Sequence, residues 1–75
     1  MKLTDGNIGK KYIVSDISIK KDTESRLEAL GLIQGSFVEI INKKRAGAMI
    51  IRIRGTRFAI GRDISDGILV EKEAV

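Results

Sequence analysis

Met49-Ile50-Ile51-Arg52-Ile53-Arg54-Gly55-Thr56-Arg57-Phe58-Ala59-Ile60-Gly61 is the stretch on which the fold turns. β-Branched and aromatic residues fill it on both sides of one internal glycine, which is strand composition interrupted by a turn. Arg54-Gly55-Thr56-Arg57 reads as a two-residue turn with glycine first, a type II′ hairpin. Side chains alternate across a strand, so Met49, Ile51 and Ile53 share one side while Ile50, Arg52 and Arg54 share the other. The side bearing two arginines belongs in water. Met49, Ile51 and Ile53 therefore point inward, and Val38, Ile40, Phe58, Ile60, Ile68 and Val70 fit the same core.

Working outward, Phe37 to Ile41 forms the preceding strand, joined to the hairpin by a loop, Asn42 to Ala48, that carries three cations and Gly47. Tyr12 to Ile19 is an earlier strand, with a bulge expected where the alternation slips near Ser15-Asp16. Asp63 to Gly67 is a short turn or single helical turn, and Ile68 to Glu71 is the last strand. One helix stands out, of about nine residues, too short to hold without docking. Asp22 is placed to accept from its first N–H groups, Asp22 and Arg26 are spaced i,i+4, Leu27 and Leu30 give its apolar stripe, and Gly31 ends it. The expected class is mainly β: a small barrel of about five antiparallel strands with one short α-helix, since closure removes exposed sheet edges.

At 75 residues the chain suits one domain, residues 1–75, with a thin core, because a chain of this size buries only about 60% of its unfolded surface. Its 43% hydrophobic and 32% charged residues are those of a globular protein. The longest apolar run, Ala46 to Ile51, is far short of the about 20 residues a membrane span needs, and the opening residues turn polar at once. A soluble, cytoplasmic protein without membrane insertion is expected. Cysteine and histidine are absent, so no disulfide and no thiolate or imidazole metal site forms within the chain, and the commonest catalytic bases and nucleophiles are missing. No enzyme, cofactor or metal is expected. Asp63 and Asp66, the best local carboxylate pair, suit turn and capping duty. The net charge of +4 favours acidic partners, although it also lies in the range, about 2 to 8, that simply keeps a small domain soluble.

The run Arg26-Leu27-Glu28-Ala29-Leu30-Gly31-Leu32-Ile33-Gln34-Gly35-Ser36-Phe37-Val38 resembles the hallmark of the ferrous iron transport protein A (FeoA) family: a helix ending Arg-Leu-x-x-Leu-Gly, then a hydrophobic residue, a glycine and a Val-x-Val strand. Ile51-Arg52-Ile53-Arg54-Gly55 and Phe58-Ala59-Ile60-Gly61-Arg62 match the family's second hairpin, and Asp63 to Val70 resembles its closing turn and strand. The resemblance spans nearly the whole chain in order. It implies an SH3-like barrel acting as a small cytosolic partner of the membrane GTPase (FeoB-type) that imports Fe²⁺, with no established catalysis of its own. A related domain closes some metal-dependent transcriptional regulators behind a helix-turn-helix portion. The present sequence has no such portion and resembles the stand-alone form. No GxxxxGK[ST] phosphate loop occurs, so GTP belongs to the partner. Family members often carry a proline in the loop near Arg45 to Ala48; its absence here implies a looser loop tip.

Candidate partner-binding residues are Arg26 on the helix, Lys43, Lys44 and Arg45 in the long hairpin loop, Arg52, Arg54 and Arg57 on the second hairpin, and Ile41 and Ile50 as an apolar centre. The alternative is a basic β-barrel gripping nucleic-acid phosphates. Such sites add aromatic stacking platforms, and this chain offers only Tyr12, Phe37 and Phe58, the last committed to the core. Self-association through an exposed strand edge stays open.

Overall fold

Alternating burial along five short segments sets five antiparallel strands side by side in the computed structural model, which describes residues 1–72. They are β1 (Lys11–Ile17), β2 (Phe37–Lys43), β3 (Met49–Ile53), β4 (Thr56–Ile60) and β5 (Ile68–Lys72), in the sheet order β4-β3-β2-β1-β5. Helix α1 (Lys21–Ala29) joins β1 to β2, and a single turn, α2 (Arg62–Ser65), joins β4 to β5. The inward positions are those of the period-two pattern: Val38, Ile40, Met49, Ile51, Ile53, Ile60, Ile68 and Val70 are all buried. Phe58 packs against this core but is only half-buried. The bulge of β1 falls between Val14 and Asp16, where the register with β5 shifts. A second register shift lies in β2 between Ile40 and Asn42.

The sheet does not close into a barrel. Edge strands β4 and β5 are connected through α2 and share no ladder. The gap is managed by other means. The N-terminal segment bridges Lys2 to Leu69 and accepts the Val70 N–H at the Met1 carbonyl (2.7 Å), which occupies the outer edge of β5. Leu3, wholly buried, anchors that segment. The Thr4 hydroxyl donates to the Asp66 carboxylate (2.7 Å) and lies 2.9 Å from the hydroxyl of Ser65, the one buried polar residue among the described residues. Asp66 also receives the Arg62 guanidinium at 3.3 Å. The Asp66 carboxyl is held below the usual carboxylate range, first by the Thr4 hydrogen bond and then, against a desolvation that raises it, by Arg62. Turn duty for Asp66 follows directly.

Two local expectations shift. Helix α1 starts at Lys21, so Asp22 sits inside its first turn and makes no side-chain cap; Asp22 and Glu24 instead favour the positive end of the helix dipole. At the other end the Gly31 N–H reaches the Glu28 carbonyl and the Leu32 N–H the Leu27 carbonyl, both at 2.9 Å. This is a Schellman cap, in which the residue after the glycine packs on the helix's last turn. Leu27 and Leu32 are therefore the buried pair, while Leu30 is 47% exposed. The base of the long hairpin loop is held, with the Lys44 N–H donating to the Ala48 carbonyl (2.7 Å) and Gly47 hard against the Arg62 side chain, while Arg45 and Ala46 at its tip are exposed.

Candidate partner-binding face

The tight hairpin between β3 and β4 is offset by one residue from the sequence expectation. Ile53 pairs with Thr56, so Arg54 and Gly55 are the two central turn residues, with φ +52° and +81°. Two positive φ values define a type I′ turn, whose twist suits the flanking strands. Arg54 therefore leaves the strand face and occupies a left-handed position that costs an ordinary residue about 1 kcal/mol. Its side-chain stem turns back over the α1 cap: a Cβ added to Gly31 would stand 3.0 Å from Arg54 Cδ. Gly31 itself holds φ +100°. That one residue ends the helix and leaves the space the Arg54 stem fills.

Strand register then assembles the outer face. Lys11 of β1 lies beside Glu39 of β2, Glu39 beside Arg52 of β3, and Arg52 beside Arg57 of β4. The row across four strands thus holds three cations and one carboxylate. Arg52 Nε stands 3.7 Å from Glu39 Oε1, close enough for an ion pair but too far for a hydrogen bond, and this buried nitrogen has no hydrogen-bond partner. Phe37, two residues before Glu39 and in phase with it, is 55% exposed. Lys11, Phe37, Glu39, Arg52, Arg54 and Gly55 line one groove of about 420 Å³. A second depression, of about 440 Å³, lies against the β4 side and is lined by Ile41, Asn42, Ile50, Arg57, Phe58 and Ala59.

The sequence candidates accordingly divide. Arg52 and Arg54 line the first groove; Ile41, Ile50 and Arg57 line the second. Lys43, Lys44 and Arg45 belong to the far end of the β2–β3 hairpin, where Lys43 Nζ donates to the Thr4 carbonyl at 3.1 Å. Arg26 is exposed on α1 and makes no ion pair among the described residues, where the ion pairs are Arg52–Glu39 and Arg62–Asp66. Three members of the groove, Lys11, Phe37 and Glu39, were missed from sequence. Phe37 carried a signal: it falls in phase with outward Glu39 and Ile41, opposite to buried Val38 and Ile40. Lys11 is brought in only by strand pairing, which spacing along the chain does not reveal.

Other chemistry finds little footing. Among the described residues no three carboxylates gather where they would hold a metal ion. No helix among them is long and apolar enough to cross a membrane. Tyr12 is buried, with its hydroxyl accepting the Asn7 N–H at 2.7 Å, and Phe58 packs on the core. That leaves Phe37 as the one exposed aromatic side chain, which is not the row of platforms on which single-stranded nucleic acid stacks.

Comparison with known proteins adds the following. The chain is similar in structure to the FeoA protein of Chlorobium tepidum, with a TM-score of 0.91 at 24% identity, covering 99% of this chain and 71% of that one. It is similar to a crystal structure described as iron uptake regulatory protein (FeoA), with a TM-score of 0.83 at 29% identity over 97% of this chain and 96% of the other. The zinc-bound FeoA of Stenotrophomonas maltophilia, described as a prokaryotic SH3 domain protein, gives a TM-score of 0.81 at 21% identity over 95% and 89% of the two chains. The five-stranded sheet is thus SH3-like even though its edges stay apart. No match was found among curated proteins. The FeoA domain family matches residues 1–72, and the chain belongs to that family, which is linked to iron uptake.

Proposed function

We propose that this chain is a small cytosolic accessory protein of ferrous iron uptake that docks on the membrane GTPase transporter of Fe²⁺ and modulates its activity or assembly. The observation that carries this reading is the outer sheet face. Three cations stand in one row with a single carboxylate, and apolar Phe37, Ile41 and Ile50 lie beside them. Arginine beside exposed apolar surface is a composition enriched at protein interfaces. Membership of the FeoA family supplies the pathway.

Co-purification of the tagged chain with the detergent-solubilised transporter tests the reading. Reversing Arg52 and Arg54 to Glu is expected to weaken the complex while the domain stays folded by circular dichroism. Ile53 is 1% exposed, so Ile53→Asp places an unpaired charge in the core and is expected to unfold the domain. No complex at any salt concentration, with both proteins folded, overturns the proposal.

A further inference from the structure

The groove floored by Arg52 asks for an anion. Arg52 and Arg57 face each other directly across β3 and β4, and like charges in that position repel. Glu39 balances only part of this and leaves Arg52 Nε without a hydrogen bond. Arg54, held at a left-handed turn position that glycine or asparagine fills at less cost, brings another guanidinium to the same groove. Backbone strain of this kind persists where a site requires it. Lys11 closes the other side. The lining therefore carries three cations against one carboxylate, with the exposed ring of Phe37 set among them.

We infer that this groove binds an acidic peptide segment, with its carboxylates on Arg52, Arg54 and Lys11 and an apolar side chain on the Phe37 ring. Guanidinium groups take carboxylates in charge-assisted, often bidentate hydrogen bonds, which the exposed part of the Arg52 guanidinium can offer while its buried Nε stays beside Glu39. Phe37 makes the site one for a peptide: an inorganic anion has nothing to place on an exposed ring. This inference rests on the docking reading above and names the chemistry of the segment docked.

An NMR titration of the ¹⁵N-labelled chain with the peptide Gly-Ser-Asp-Glu-Leu-Glu-Glu-Ser-Gly tests it. Amide shifts are expected at Lys11, Phe37 to Glu39 and Arg52 to Gly55, with binding weakened about tenfold when the acidic residues are replaced by their amides. Arg52→Gln and Arg54→Asn are each expected to weaken binding about tenfold, and Phe37→Ser severalfold. Lys21→Gln, exposed on α1 and outside the groove lining, is expected to leave it unchanged. Arg54→Asn keeps the turn favourable, so a folding failure at Arg52 leaves that arm intact. No shifts at millimolar peptide, or equal binding of the amide version, overturns the inference. So does tighter binding of a single-stranded RNA or of phosphatidylserine vesicles that shows the same variant dependence. If the native chain captures the transporter and the Arg52→Gln, Arg54→Asn double variant captures it equally, the groove inference fails while the docking function stands. Peptide binding without any capture of the transporter has the opposite meaning.

Discussion

At the scale of single residues, Gly31 shows how one position serves both folding and surface. Its φ of +100° strains any L side chain, and an added Cβ would also press on the Arg54 stem at 3.0 Å. Gly31→Ala is therefore expected to cost about 2 kcal/mol, read by urea denaturation, because a left-handed penalty of about 1 to 2 kcal/mol adds to a steric one. Trimming the stem with Arg54→Ala separates the two. The double variant is expected to recover about 0.5 to 1 kcal/mol of the loss, the coupling between touching side chains, and the rest stays as backbone strain. Strict additivity would mean that the stem does not occupy this space. Asp66 gives a second test at this scale. Its carboxyl is lowered chiefly by the Thr4 hydroxyl, so it binds its proton less readily folded than unfolded. The stability it adds is therefore complete above the ordinary Asp range and is lost as pH falls through the lowered native value. Thermal melts between neutral pH and about pH 3 are expected to fall further for the native chain than for Asp66→Asn, which lacks this proton-linked part.

At the scale of elements, the β3–β4 hairpin is the informative case. Arg54-Gly55 forms a type I′ turn where Asn-Gly is the preferred pair, so Arg54→Asn is expected to raise stability by up to about 1 kcal/mol. For a chain of this size that is a rise of a few degrees in Tm, by calorimetry. The same change is expected to weaken acidic-peptide binding, so stability and binding separate at one residue; a lower Tm would mean that the arginine is there for packing. This turn also marks the limit of the sequence. The strands were legible to within about two residues, because Met49, Ile51, Ile53, Val38 and Ile40 keep a period of two that only an inward face explains. The turn was read one residue late, because an arginine at positive φ runs against local preference. Of the i,i+3 stripe Leu27 and Leu30, Leu27 is buried, but spacing is blind to the Schellman cap that buries Leu32 in place of Leu30. Leu3, isolated in polar sequence, and Lys11, at the start of β1, are invisible for another reason: they acquire their places only through pairing with β5 and β2.

At the scale of the whole molecule, the open sheet has two unequal edges. The outer side of β5 is occupied at Leu69 and Val70 by the N-terminal segment, so exposed strand backbone is concentrated on β4. An edge strand left free is a template for another copy of the chain unless its surface opposes pairing. On β4 that opposition is Arg57, which borders a depression lined by apolar Ile41, Ile50, Phe58 and Ala59. A second β4 laid antiparallel against the first would bring two Arg57 side chains toward one another and strip water from both. Arg57→Val removes the charge, extends the apolar surface and adds a β-branched residue to a strand that already favours pairing. Its sedimentation-equilibrium mass is expected to rise with concentration above that of the native chain, and Arg57→Lys is expected to sediment like the native chain. If Arg57→Val sediments identically at every concentration, the edge is protected by something other than this charge. The neighbouring groove supplies an internal check, because Arg52 and Arg54 remain in place in the Arg57→Val chain. Acidic-peptide binding should then survive in its monomeric fraction. Loss of binding there would join the two depressions into a single site spanning β1 to β4.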